Sequence, residues 1–157
     1  MIAEPFSTAR LSLLPLEPRY AAEMTAVLAD PALYAFTGGE PPTVAALGAR
    51  YERQVAGPGR ADEYWLNWVI QAGDELIGFV QSTVTGSTAE IAWVLGSAWQ
   101  GHGYAKEAAI GLADWLKAQD LRVIAHIHPD HVASAAVARA AGLSRTDEMD
   151  DGEYLWT

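Results

Sequence analysis

The residues best suited to chemistry gather in the second half of the chain. Trp99-Gln100-Gly101-His102-Gly103-Tyr104-Ala105-Lys106-Glu107 joins a strand-like apolar run to an alanine-rich, helix-like run. Glycines at 101 and 103 let a backbone turn sharply and bring its N–H groups close to an anion. A helix behind them adds the positive end of its dipole and amides that have no internal acceptor. Such a loop can hold a pyrophosphate without many Lys or Arg. A bare Gly-x-Gly equally suits a plain turn before a helix. No Gly-Lys-Ser/Thr follows, so it is not a Walker loop. The third small residue is misplaced for the dinucleotide fingerprint.

Glu90 is the candidate proton acceptor. Strand alternation puts Glu90, Ala92 and Val94 on one face. A carboxylate beside apolar neighbours resists ionisation and becomes a better base. The competing reading is a solvated carboxylate near a strand end. His126 and His128 are two apart on a strand-like run, hence on one face, and His131 follows. Three histidines suggest a metal cluster. Pro129 and the expected strand end work against their convergence, and no metal is expected.

Elements must position these groups. Arg10 to Leu16 reads as a first strand, and Pro18 to Ala29 has helical spacing. A Gly38-Gly39-Glu40-Pro41-Pro42 break precedes a second helix from Thr43 to Val55, ended by Gly57-Pro58-Gly59. Three strands follow at Tyr64 to Gln71, Glu75 to Val84 and Ala89 to Leu95, with turns at Gly73-Asp74 and Gly86-Ser87. The Gly96 to Gly103 turn leads into a helix reaching about Ala118. Its Ala105, Ala108, Ala109, Leu112 and Leu116 form an i, i+3, i+4 stripe. Arg122 to Ile127 reads as a strand. A helix from Val132 to Ala141 ends at Gly142. Ser144 to Thr157 suits a closing hairpin around Asp150-Asp151-Gly152. The order β-α-α-β-β-β-α-β-α-β-β describes a mixed α/β domain, and 157 residues favour one domain spanning the chain.

Bulk properties narrow the partners. Half of the residues are hydrophobic, enough for a packed core. The longest apolar runs, such as Ile91 to Leu95, fall far short of the ~20 residues of a membrane span. Met1-Ile2-Ala3-Glu4-Pro5 lacks the basic and apolar regions of a secretory signal. The chain has no cysteine, which removes disulfides and thiolate catalysis and is compatible with a cytoplasmic location. The formal net charge is −10, with the basic residues scattered, so neither nucleic acid nor membrane is an expected partner. The acidic balance mildly favours a cationic substrate such as an amine. It also serves solubility.

Gln100-Gly101-His102-Gly103-Tyr104-Ala105 resembles the Q/R-x-x-G-x-G/A signature of the GNAT N-acetyltransferases. Further blocks resemble the ribosomal-protein-alanine acetyltransferase-like branch of that superfamily, in the family's order. They are Thr8-Ala9-Arg10-Leu11-Ser12-Leu13, Asp74 to Val80, Ala89 to Leu95, and Pro129-Asp130-His131-Val132-Ala133-Ser134 with Ala141-Gly142-Leu143. The resemblance implies an acyl-CoA N-acyltransferase fold: a twisted mixed sheet with a splayed strand pair and flanking helices. It implies acetyl-CoA as cosubstrate, its pyrophosphate on the loop at Gln100, Gly101, His102, Gly103, Tyr104 and Ala105. The pantetheine arm would pair with backbone at Trp93, Val94 and Leu95, in effect as an added strand. A backbone N–H near Val94 would polarise the thioester carbonyl.

By the same resemblance Glu90 is the base and Ser134 the acid that protonates the departing sulfur. His131 stands where relatives commonly carry the Asn that contacts the cofactor arm. Its larger, titratable ring leaves that contact open. Ala92 stands where Gly is frequent. The acceptor is an amine, on a small molecule or a peptide N-terminus. Its site would be shaped by Tyr34 to Arg53 and the tail after Leu143. Tyr34, Phe36, Trp65, Trp68 and Trp156 are candidate walls and equally candidate core. Glu40, Asp150 and Asp151 could attract a cation. The competing class is an acyl-CoA-binding sensor or interaction module without turnover, favoured by His131 and opposed by Glu90 with Ser134. A homodimer is compatible with the sequence.

Overall fold

Eight strands and four α-helices form along the 157 residues, all described by a computed structural model. β1 (Phe6–Ser7) and β2 (Ser12–Pro15) pair antiparallel at one edge of the sheet. β1 is too short for a two-residue period to reveal, and the sequence reading missed it. The segment expected as one helix from Pro18 is a 3₁₀ turn, Pro18–Tyr20, followed by α1 (Ala21–Val27). Asp30 precedes Pro31 and is extended at ψ 119, as a residue before proline tends to be. The helix accordingly stops short of Ala29. α2 (Val44–Ala56) begins where the Thr43 hydroxyl accepts from the Ala46 N–H at 3.1 Å and ends at Gly57.

β3 (Glu63–Ala72), β4 (Glu75–Thr85) and β5 (Thr88–Leu95) form an antiparallel meander. α3 (Tyr104–Lys117) carries the chain across the sheet to β6 (Arg122–Ile127), which lies parallel to β5. α4 (Val132–Ala140) then leads to the hairpin of β7 (Arg145–Asp150) and β8 (Glu153–Trp156). The sheet order is β1-β2-β3-β4-β5-β6-β8-β7, with β5–β6 its parallel pair.

Alternation divides the apolar residues between two cores. Leu13, Leu66, Trp68, Ile70, Val80, Val84, Ala89 and Ile91 pack with the Ala108, Ala109, Leu112 and Leu116 stripe of α3 and with α4. The other face packs Val69 and Leu76 against Met24, Val27, Leu47 and Tyr51 of α1 and α2. Each large side chain fully buried this way contributes about 1.5–3 kcal/mol. Trp68 is fully buried, its indole N–H donating to the Glu4 carbonyl at 2.8 Å, and Phe6 meets it edge-on. Trp68 and Trp156 belong to the first core, the structural role that their candidacy as walls left equally open.

Candidate active site

β5 and β6 pair only at Thr88–Arg122, Ala89–Val123 and Glu90–Ile124. Past Glu90 they part, because β6 turns to pair with β8 from Ala125 to Ile127 while β5 stays on β4. The gap opens at the C-terminal ends of two parallel strands, the usual ligand position in such sheets. Gly96 N–H donates to the Ile77 carbonyl at 2.8 Å. In an antiparallel ladder hydrogen-bonded pairs alternate. The register therefore makes Val94–Phe79 a bonded pair and turns the main chains of Trp93 and Leu95 toward the gap. A Cβ built on Gly78 of β4 would lie 2.3 Å from the Val94 carbonyl oxygen, which confirms that Val94 faces β4. Of the three residues expected to offer backbone to a cofactor arm, Trp93 and Leu95 turn theirs toward the gap and Val94 turns its own toward β4.

The glycine-rich loop sits at the mouth of this gap. Gly101 and Gly103 have φ of 84 and 79, in the left-handed region. A side chain on Gly101 would meet nothing within 4 Å. The amides of residues 101–106 find no acceptor within the protein. A loop and helix start of this form is a concave set of donors suited to an anion. Gln100 turns inward, its amide donating to the Leu95 carbonyl at 3.0 Å. Its side chain fastens the loop to the end of β5 and leaves the amides of 101–106 as the open donors.

Arg10 braces this loop, a role the sequence reading did not find. Its Nη1 donates to the His102 carbonyl at 3.0 Å, and its guanidinium lies over the Tyr104 ring at 4.5 Å. Its Nε donates to Glu107 Oε1 at 2.7 Å and its backbone N–H to Oε2 at 2.8 Å. The Thr8 hydroxyl also donates to Oε2. Burial pulls the Glu107 carboxyl upward, but these hydrogen bonds and the Arg10 charge outweigh it and hold it below the ordinary range. The only sequence trace of this clamp was the Thr8-Ala9-Arg10 block itself.

Glu90 lies where the strands begin to part. Its carboxylate is 49% exposed, and Oε1 stands 3.0 Å from His126 Nδ1. The apolar setting expected for it is therefore incomplete. Ala92 on the same face is exposed, and Glu90 itself lies opposite Thr83 of β4. His126 was read only as a metal candidate. The three histidines have different hydrogen-bond and stacking partners. His126 meets Glu90, the His128 Nδ1 accepts from the Asp130 N–H at 3.0 Å, and His131 stacks on Phe36 with ring centres 4.4 Å apart.

His131 and Ser134 sit at the start of α4, 3.3 Å between Nε2 and Oγ. Burial, and secondarily the charge of His128, lowers the His131 pKa and favours its neutral form. A neutral imidazole can accept the hydroxyl proton of Ser134, while the ring tautomer is set by its other contacts. Phe36 covers this corner, packed on the rings of His131 and His128. Tyr34 is occupied structurally, its hydroxyl donating to the Leu28 carbonyl at 2.9 Å. Glu40, Asp150 and Asp151 are exposed in turns or at strand ends.

The family model for the acetyltransferase (GNAT) domain matches residues 10–144. This chain belongs to the GNAT acetyltransferase family. Membership makes it an acetyltransferase, and the match takes in the loop, Glu90, His131 and Ser134 together. No curated protein shows significant sequence similarity to this GNAT chain.

Solved GNAT structures share its fold. An acetyltransferase from Bacillus anthracis aligns with a TM-score of 0.79 at 19% identity, covering 98% of this chain and 96% of that one. RimL, the ribosomal L7/L12 α-N-protein acetyltransferase, solved with coenzyme A, aligns with a TM-score of 0.78 at 17% identity, covering 98% and 96%. The microcin C7 self-immunity acetyltransferase, solved with acetyl-CoA and AMP, aligns with a TM-score of 0.77 at 16% identity, covering 94% and 91%. No helix of this GNAT protein is long and apolar enough to cross a membrane.

Proposed function

We propose that this protein, as one domain over residues 1–157, transfers an acetyl group from acetyl-CoA to a primary amine by direct attack. The observation that carries this reading is the adjacency of two open donor sets. They are the free β5 edge at Trp93 and Leu95 and the unpaired amides of residues 101–106. An acyl-pantetheine diphosphate offers amides to the first and a pyrophosphate to the second. Neighbours of the same fold solved with acetyl-CoA or coenzyme A support the choice of ligand. The absence of cysteine accords with direct attack and with a cytoplasmic setting.

In this reading Glu90 takes the proton of the attacking amine, directly or through water, and His126 holds its carboxylate. The amine nitrogen bonds to the thioester carbonyl carbon. The resulting tetrahedral oxyanion is met by a β5 main-chain N–H that faces the gap. The carbon–sulfur bond then breaks. The thiolate receives a proton from Ser134, whose hydroxyl is replenished from solvent, with His131 as its partner. The products are the N-acetyl amide and CoA.

Titration calorimetry with acetyl-CoA and with CoA tests the ligand. Release of free CoA thiol against a panel of amines tests the reaction. The reading expects binding of both nucleotides and amine-dependent thiol release. Absence of acetyl-CoA binding by folded protein overturns it. Binding with no amine-dependent release favours the sensor reading, for which His131 remains the best argument.

A further inference from the structure

The groove on the α2 side of the sheet carries a charge that the whole protein does not. It has a volume of about 510 Å³ and runs between α2 and the strands β3 and β4. Arg50 and Arg53 line it from α2, with Gln54, Asn67 and Gln81. Neither arginine makes an ion pair, in a chain with 20 acidic residues. The amide side chains of Gln54, Asn67 and Gln81 have no hydrogen-bond partner within the protein either. The groove's one carboxylate, Glu63, is turned onto the indole N–H of Trp65 at 2.9 Å.

A second feature sits beneath. The Tyr51 side chain is buried, at 5% exposure, and its hydroxyl has no partner. It lines a small apolar cavity with Leu47 and Phe79, and that cavity shares Arg50, Gln54, Asn67 and Gln81 with the groove above. A buried, unpaired hydroxyl is destabilising, so a ligand atom that pairs it is favoured there. Burial pushes the phenol up to about 12, and it stays a neutral donor. Donors therefore dominate: two guanidiniums, three amides and a phenol.

The groove also reaches the candidate base. Thr83 lines it and is the cross-strand partner of Glu90. Opposed residues of a hydrogen-bonded antiparallel pair lie ~5.5 Å apart between Cα atoms.

We propose that the acceptor is an amine that also bears a carboxylate or phosphate, the anion seated by Arg50 and Arg53 with its amine turned toward Glu90. The idea rests on the acetyl-transfer reading above. It adds an anion to the amine that the overall charge of −10 mildly favours, because local unpaired charges govern a groove more than distant screened ones. Arg53 also complements the C-terminal end of α2, but Arg50 lies a turn earlier.

Matched amines test it, scored by CoA release from acetyl-CoA. The pairs are O-phosphoethanolamine against ethanolamine, γ-aminobutyrate against γ-aminobutyramide, and the C-terminally amidated tripeptide Ala-Glu-Glu-NH2 against Ala-Gln-Gln-NH2. The small and peptide arms separate the two sources of the same anion chemistry. The anionic member of at least one pair should show roughly tenfold or greater kcat/KM, the scale of one lost charge-assisted hydrogen bond. The Arg50→Gln/Arg53→Gln double variant should lose that preference and keep its acetyl-CoA affinity. Arg60→Gln, outside the groove, should change neither. Equal or better turnover of every neutral partner, or a preference that survives the double variant, overturns the proposal. Should no amine react, the side-chain N–H signals of Arg50 and Arg53 decide it by NMR. They should shift with O-phosphoethanolamine and not with ethanolamine. No shift up to about 20 mM, where even a millimolar complex forms, overturns it. Failure of acetyl-CoA to bind sinks the transfer reading alone.

Discussion

His126 Nδ1 stands 3.0 Å from Glu90 Oε1, bridging β5 and β6 where the two strands cease to pair. A carboxylate only accepts, so the proton of this bond belongs to the imidazole and the histidine orients the carboxylate.

Glu90→Gln keeps the shape and removes proton acceptance. Acetyl-CoA affinity should be retained, while turnover near neutral pH falls at least ~100-fold, the lower end of general-base contributions. Raising the pH should recover part of the rate, because more of the acceptor amine is then neutral. His126→Ala should lower kcat less, leave KM for acetyl-CoA unchanged and shift the pH–rate profile. A Glu90→Gln protein with the parent's turnover and profile would make Glu90 structural.

Gly103→Val tests the loop. A β-branched residue resists a φ of 79, and its Cβ would stand 3.4 Å from Arg10 Nη2. The backbone strain pushes the amides of the loop out of register, while the Arg10 side chain has room to give. CoA affinity should fall by roughly tenfold or more, as measured by titration calorimetry, with the melting temperature checked in parallel. Unchanged affinity in the folded variant would remove the loop from the ligand site.

Glu107→Gln should weaken the clamp on Thr8 and Arg10. The folded pKa of Glu107 is lowered, so its contribution to stability is present above the unfolded value of about 4.3 and is lost as pH falls through the folded value. The gap in unfolding free energy between parent and variant should therefore be largest near neutrality, about 1–3 kcal/mol, and shrink in acid. Chemical denaturation at a series of pH values measures it. A gap independent of pH would mean the carboxylate's charge contributes nothing.

His131 should titrate below the ordinary histidine value of about 6.5 when followed by its ring NMR signals. Its depressed folded pKa means the neutral ring contributes stability above the unfolded pKa. That contribution is lost as pH falls through the folded one. His131→Asn should flatten this acid-side slope and bind acetyl-CoA at least as well as the parent. A large loss of affinity would give the imidazole its own part in the site.

Much of this molecule was legible along the chain because its signals are local. The Gly73-Asp74 and Gly86-Ser87 turns divide the meander, and the alanine stripe from Ala105 to Leu116 marks α3. The pattern Gln100 to Ala105 marked the tight turn that opens α3, since left-handed glycines before a helix carry their own geometry. What the tertiary structure alone decided were relations between residues far apart in sequence. Which main chains of β5 face the gap depends on the hydrogen-bond phase with β4, and that phase points Trp93 and Leu95 into it and Val94 away. Arg10 meets Glu107 across 97 positions and His126 meets Glu90 across 36. The unpaired state of Arg50 and Arg53 is likewise a property of the packed groove. Composition records how many charges a chain holds; folding alone determines which of them find partners.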